Sequence, residues 1–120
     1  MKLNKLTPII YTEEILETIR FYVDIIGFTC VEYDADWFWA RIVLDQTELM
    51  ISKPAGQRPF DKPTFTGSLY FNTNNVNEIW NQLKDKTRIC YPIENFEYGM
   101  REFGVYDNNG YLLQFGEPIN

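Results

Sequence analysis

The chain states one structural plan twice. Laid with a shift of 61 residues, Pro8 to Ile19 faces Leu69 to Trp80, so that Tyr11-Thr12-Glu13-Glu14-Ile15 stands opposite Asn72-Thr73-Asn74-Asn75-Val76. In each copy a strand-like run ends in polar residues and passes into a segment of helical period. Identity between the copies is low, yet the order of elements matches.

The first helical segment carries Ile15, Ile19, Tyr22 and Ile26 at spacings of four, three and four, which makes one apolar stripe. Thr12 is placed to cap it, Glu13 and Glu14 suit the positive end of its dipole, and Gly27 is the natural stop. In the second copy Val76, Ile79, Trp80 and Leu83 form the stripe, Asn75 with Glu78 resembles a capping box, and the helix ends near Asp85.

Three strand candidates follow each helix. In the first half they are Thr29 to Tyr33, Trp37 to Leu44 and Thr47 to Lys53, separated by Asp34-Ala35-Asp36 and Asp45-Gln46. In the second they are Arg88 to Tyr91, Arg101 to Tyr106 and Tyr111 to Gly116, with Asn109-Gly110 supplying the positive backbone angles of a tight hairpin. Short polar turns imply antiparallel neighbours. The plan is therefore βαβββ twice: module one at 1–53, a Pro-rich crossover linker at 54–65, and module two at 66–120, in a single α+β domain. One helix cannot cover both faces of a four-stranded sheet. The two modules are expected to form a curved, cup-shaped, mixed eight-stranded sheet with helices on its outer face and an inner face open to ligand; whether the linker acts as a lid is left open by the sequence.

Composition narrows the partners. A net charge of −6 argues against nucleic acid and anionic lipid, which demand clustered Lys and Arg. Aromatic residues at 17% exceed ordinary usage and suit either a thin, large-residue core or a lined cavity. Cys30 and Cys90 lie 60 residues apart with no CxxC spacing and read as buried small hydrophobes. The N-terminal residues lack an apolar signal core and no apolar stretch reaches membrane-spanning length, so a cytoplasmic location is expected.

Two motifs carry a family resemblance over nearly the whole chain. Thr7-Pro8-Ile9-Ile10-Tyr11-Thr12-Glu13-Glu14, followed by Phe21-Tyr22 and Ile25-Ile26-Gly27-Phe28, resembles the opening strand and first helix of the vicinal oxygen chelate superfamily, the glyoxalase, bleomycin-resistance and extradiol dioxygenase relatives. Residues 98–115 resemble that superfamily's last hairpin, and Tyr98-Gly99-Met100-Arg101-Glu102-Phe103 is most like the bleomycin-resistance branch. In metal-using members the resemblance implies histidines on the first strand of each half and glutamates on the last. Carried over by motif, the histidine positions fall on Thr7 and Ser68, and the final glutamate on Gln114. The remaining position falls on Glu48 if the Glu-Leu pair is matched, or on Met50 if the preceding turn is matched. The chain has no histidine at all, so Glu48 is the one weak metal candidate and no cofactor is expected.

The same absence removes the commonest general base and any Ser-His or Cys-His nucleophile, and no catalytic residue stands out. What the residues offer is a binding surface: Trp37 and Trp39 on one face of the third strand with Phe38 on the other, Glu48, Met50, and in the second half Tyr70, Tyr91, Phe96, Met100, Arg101, Phe103 and Gln114. Arg101 is preferred to Glu102 because it shares a strand face with Phe103. The leading reading is a metal-independent protein that sequesters a small aromatic or cationic molecule, an antibiotic or toxin among the candidates, as the homodimer the resemblance implies. Two alternatives stand beside it: a metal-assisted lyase, isomerase or dioxygenase-type enzyme using Glu48 and oxygen ligands, and a dimeric scaffold whose aromatic residues are all core.

Overall fold

Apolar side chains at alternate positions drive each half of the chain into a four-stranded sheet with one face buried. The computed structural model describes residues 1–54 and 60–120. It divides into two compact units, Met1–Asp61 and Lys62–Asn120.

The first unit contains β1 (Ile9–Tyr11), α1 (Ile15–Arg20), a π-helical continuation at Phe21–Ile26, β2 (Thr29–Asp34), β3 (Trp39–Leu44) and β4 (Thr47–Ser52). The strands lie in the order β1-β4-β3-β2, with β1 parallel to β4 and the other pairs antiparallel. Ile10, Ala40, Ile42, Leu49 and Ile51 form the buried face, and α1 packs over β3 and β4. Of the expected stripe, Ile15, Tyr22 and Ile26 are buried, Ile19 is half-buried, and Thr18 joins them. Thr12 takes the capping role at one remove: its hydroxyl accepts the Glu14 N–H at 2.9 Å and a hydrogen bond from Thr18 at 3.0 Å. The π-helical turn closes on Gly27, whose N–H reaches the Tyr22 carbonyl with φ +111°.

The second unit repeats the order: β5 (Leu69–Asn72), α2 (Val76–Leu83), β6 (Arg88–Asn95), β7 (Met100–Tyr106) and β8 (Leu112–Pro118), with the strands arranged β5-β8-β7-β6. Its core is an aromatic layer. Phe71 stacks on Phe115 (5.1 Å), Phe115 on Phe103 (5.2 Å), and Trp80 of α2 meets Phe103 edge-on at 5.1 Å.

Several local expectations are corrected. The third strand begins at Trp39, because 35–38 form a turn in which Phe38 takes φ +49°; Trp37 therefore shares no strand face with Trp39. The Asn75 and Glu78 capping box does not form, since Asn75 makes no side-chain cap bond and the Glu117 carboxylate accepts the Val76 N–H at 3.0 Å instead. The last hairpin is not a two-residue turn: Asp107 accepts the N–H groups of Asn109, Gly110 and Tyr111, and only Gly110 has positive φ. Strand β6 runs on through Pro92 to Asn95, which an edge strand tolerates. Cys30 is half-buried and Cys90 exposed, so neither is the buried hydrophobe expected. Of the linker considered as a lid, 55–59 lie outside the described residues.

Phe103 is fully buried against α2 and β8 and does not line a ligand face. Phe103→Ala is expected to lower the unfolding free energy by about 3–5 kcal/mol, read from urea denaturation.

Candidate functional site

Strand alternation turns Glu102 and Gly104 of β7, and Gln114 and Gly116 of β8, away from the aromatic core and onto the opposite face of the second sheet. There they meet Ser68, Tyr70 and Tyr91. The Ser68 hydroxyl bonds to Gln114 Oε1, Gln114 Nε2 donates to the Tyr91 hydroxyl at 2.9 Å, and that hydroxyl donates to Glu102 Oε2 at 3.2 Å. Tyr70 also hydrogen-bonds to Glu102. The result is one continuous polar chain from Ser68 to Glu102.

Two glycines make room for the rings. A Cβ on Gly104 would come within 2.5 Å of the Tyr91 ring, and one on Gly116 would overlap the Tyr70 hydroxyl. Tyr91 itself stands between two register shifts in β6, after Ile89 and before Glu94, which aim it across Gly104. Burial, and secondarily the negative charge of Glu102, push the Tyr91 phenol up to about 12 against the opposing hydrogen bond from Gln114. Tyr70 is raised for the same first reason, burial, and by Glu102. Near neutral pH these phenols are hydrogen-bond donors and poor proton acceptors.

The corresponding face of the first sheet is ionic. Glu48 Oε1 receives Lys5 Nζ at 3.1 Å and Arg41 Nη1 at 3.1 Å, Glu48 Oε2 receives the Thr7 hydroxyl at 3.2 Å, and Arg41 Nε bonds Glu32 at 2.8 Å. Lys5, ahead of Arg41 and Thr7, holds the Glu48 carboxyl below the usual range. Trp39 and Met50 share this face, as their alternation with buried Ala40, Leu49 and Ile51 requires.

The expected site residues thus separate into groups. Tyr70, Tyr91 and Gln114 come together in the second unit; Trp39, Glu48 and Met50 share one face of the first sheet. Trp37 lies in the exposed turn at 79% accessibility and joins neither. Arg101 does share a face with Phe103, but it is the helix side: its guanidinium bonds Asn77 of α2 at 2.8 Å and Asn95 at 3.0 Å. Glu102, and not Arg101, faces the network and ends its polar chain. The signal was present in the strand phase, because Phe103 and Val105 with Leu113 and Phe115 fix the core side and leave Glu102 opposite.

The family model described as Glyoxalase/Bleomycin resistance protein/Dioxygenase superfamily matches residues 2–115. The chain belongs to that superfamily. Solved structures agree on the fold. A protein of unknown function from Agrobacterium tumefaciens str. C58 superposes with TM-score 0.82 at 19% identity, covering 99% of this chain and 97% of that one. TnmS3, an antibiotic binding protein from Streptomyces sp. CB03234, gives 0.80 at 17% identity over 98% of each chain. A lactoylglutathione lyase from Agrobacterium tumefaciens gives 0.74 at 15%, covering 97% and 95%. No curated protein matches in sequence.

Superfamily metal chemistry can be tested against the donors present. Ile9 pairs with Met50 as Tyr70 pairs with Gln114, and Ile9 and Tyr70 are separated by the repeat shift. Met50 is therefore the counterpart of Gln114, with Glu48 two residues before it on the same face. The four positions hold hydroxyl, thioether, hydroxyl and amide, and Ser68 and Gln114 are already bonded to each other. Glu48 is committed to two cations. Among the described residues no group of three His, Cys, Asp or Glu could hold a metal ion. These donors do not fit the superfamily's metal.

Because the folded Tyr91 pKa lies above its ordinary value of 10.0, its contribution to stability is complete below pH 10 and falls as pH rises toward about 12. Ultraviolet titration should find one phenol ionising near 12, and Tyr91→Phe should abolish that step.

Proposed function

We propose that this superfamily member binds and sequesters a small organic molecule, aromatic or cationic, without a metal. The observation that carries the reading is the polar chain Ser68, Gln114, Tyr91 and Glu102 laid between tyrosine rings on the face of the second sheet opposite α2. A few placed hydrogen-bonding groups among aromatic surfaces are what a small-molecule site requires. Tyr70 presents its ring partly to solvent, at 38% accessibility, and flat ligands stack on such faces. The antibiotic-binding TnmS3, with its similar fold, lends the reading support as an analogy.

Metal independence rests on the donor set described above. The alternative of a metal-assisted enzyme working through Glu48 would need Lys5 and Arg41 to leave that carboxylate, and nothing in the arrangement favours it.

A thermal-shift screen of the purified protein tests the reading. Probes are bleomycin, a panel of aromatic amines, and Mn²⁺, Ni²⁺ and Zn²⁺, each with and without EDTA. An organic ligand at a hundredfold excess over its Kd should add about 2.7 kcal/mol of stability, and EDTA should leave that gain intact. Stabilisation by a divalent ion alone, with no organic compound effective, would reverse the conclusion.

A further inference from the structure

We infer that the second-unit site takes an organic cation, with Glu102 as its counter-ion and the rings of Tyr70 and Tyr91 at its flanks. This rests on the binding reading above and names its ligand class.

The argument begins with charge. Glu102 is 1% exposed, and among the described residues no Lys or Arg pairs with it. Its hydrogen-bond partners Tyr70 and Tyr91 are neutral phenols. A carboxylate withdrawn from water without a cation is unfavourable, and neutral donors offset this only in part. On the corresponding face of the first unit Glu32 and Glu48 are bridged by one guanidinium, and Glu48 has Lys5 as well. A guanidinium was also available at Glu102, one residue away. Strand alternation sends Arg101 to the other face, where Asn77 and Asn95 hold it. Among the described residues the negative charge is thus left without a countercharge.

The surroundings fit an organic cation better than a bare one. Tyr91 meets Phe96 edge-on at 5.7 Å, and Phe96 stacks on Tyr98 at 5.5 Å, so an aromatic series leads from the carboxylate to the exposed Tyr98 ring. Ring faces attract ammonium and heteroaromatic cations and offer nothing to a hydrated metal ion that needs several oxygen ligands. Tyr70 is the more exposed of the two phenols at Glu102.

The test compares two fluorescent probes of one shape, N-methylacridinium and acridine, titrated against the protein at mildly alkaline pH where acridine is uncharged. Wild type should prefer the cation, and Glu102→Gln should weaken the cation at least about tenfold while moving acridine by no more than about twofold. Because the substitution removes a buried charge and keeps its shape, the thermal midpoint of Glu102→Gln should not fall below that of wild type. Equal affinity of wild type for both probes would overturn the inference and leave the binding reading standing. So would a Glu102→Gln protein that keeps its preference for the cation. A large drop in the midpoint would make Glu102 a structural residue and overturn it too. Failure of both probes to bind wild type would remove the binding reading itself.

Discussion

Each sheet in this protein has one helix, and a single helix can bury only one face of four strands. That constraint sorts every strand residue by parity. Odd positions of β7 (Phe103 and Val105) and of β8 (Leu113 and Phe115) enter the core, and even positions become whatever the opposite face requires. The same holds in the first unit, where Ala40, Ile42, Leu49 and Ile51 face α1 and Trp39, Arg41, Glu48 and Met50 do not. The hydrogen-bonded network of the second unit lies in the second set.

The two units solve that second set differently. In the first, opposite charges sit side by side, and Arg41 bridges Glu32 and Glu48. In the second, hydroxyl, amide and phenol groups surround one carboxylate. By strand register Gly104 occupies the place of Arg41, since Gly104 pairs with Gln114 as Arg41 pairs with Met50. Replacing a guanidinium by a glycine removes the countercharge and opens the space that the Tyr91 ring fills. One substitution of role between the repeats therefore converts an ionic surface into a hydrogen-bonded, aromatic one.

Much of the fold was legible because periodicity is a local property. The repeat, both helices, all eight strands to within a few residues, the stop at Gly27 and the positive φ at Gly110 follow from spacing and from glycine's conformational freedom. What was misread depended on partners distant in sequence. Glu117, 41 residues after Val76, supplies the N-terminal acceptor of α2 in place of the nearby Glu78. Pro92 gives no sign that its strand continues until the strand is seen to lie at a sheet edge.

The site shows the same division. The sequence by itself determined the superfamily, the lack of imidazole ligands, and the presence of Tyr70, Tyr91 and Gln114 among the candidate residues. Only the tertiary structure decided that Arg101 and Phe103 belong beneath the helix, that Glu48 is occupied by Lys5 and Arg41, and that Glu102 stands among phenols with no cation among the described residues. The physical reason is that alternation says which residues share a face, whereas the choice of which face the helix covers is made by packing.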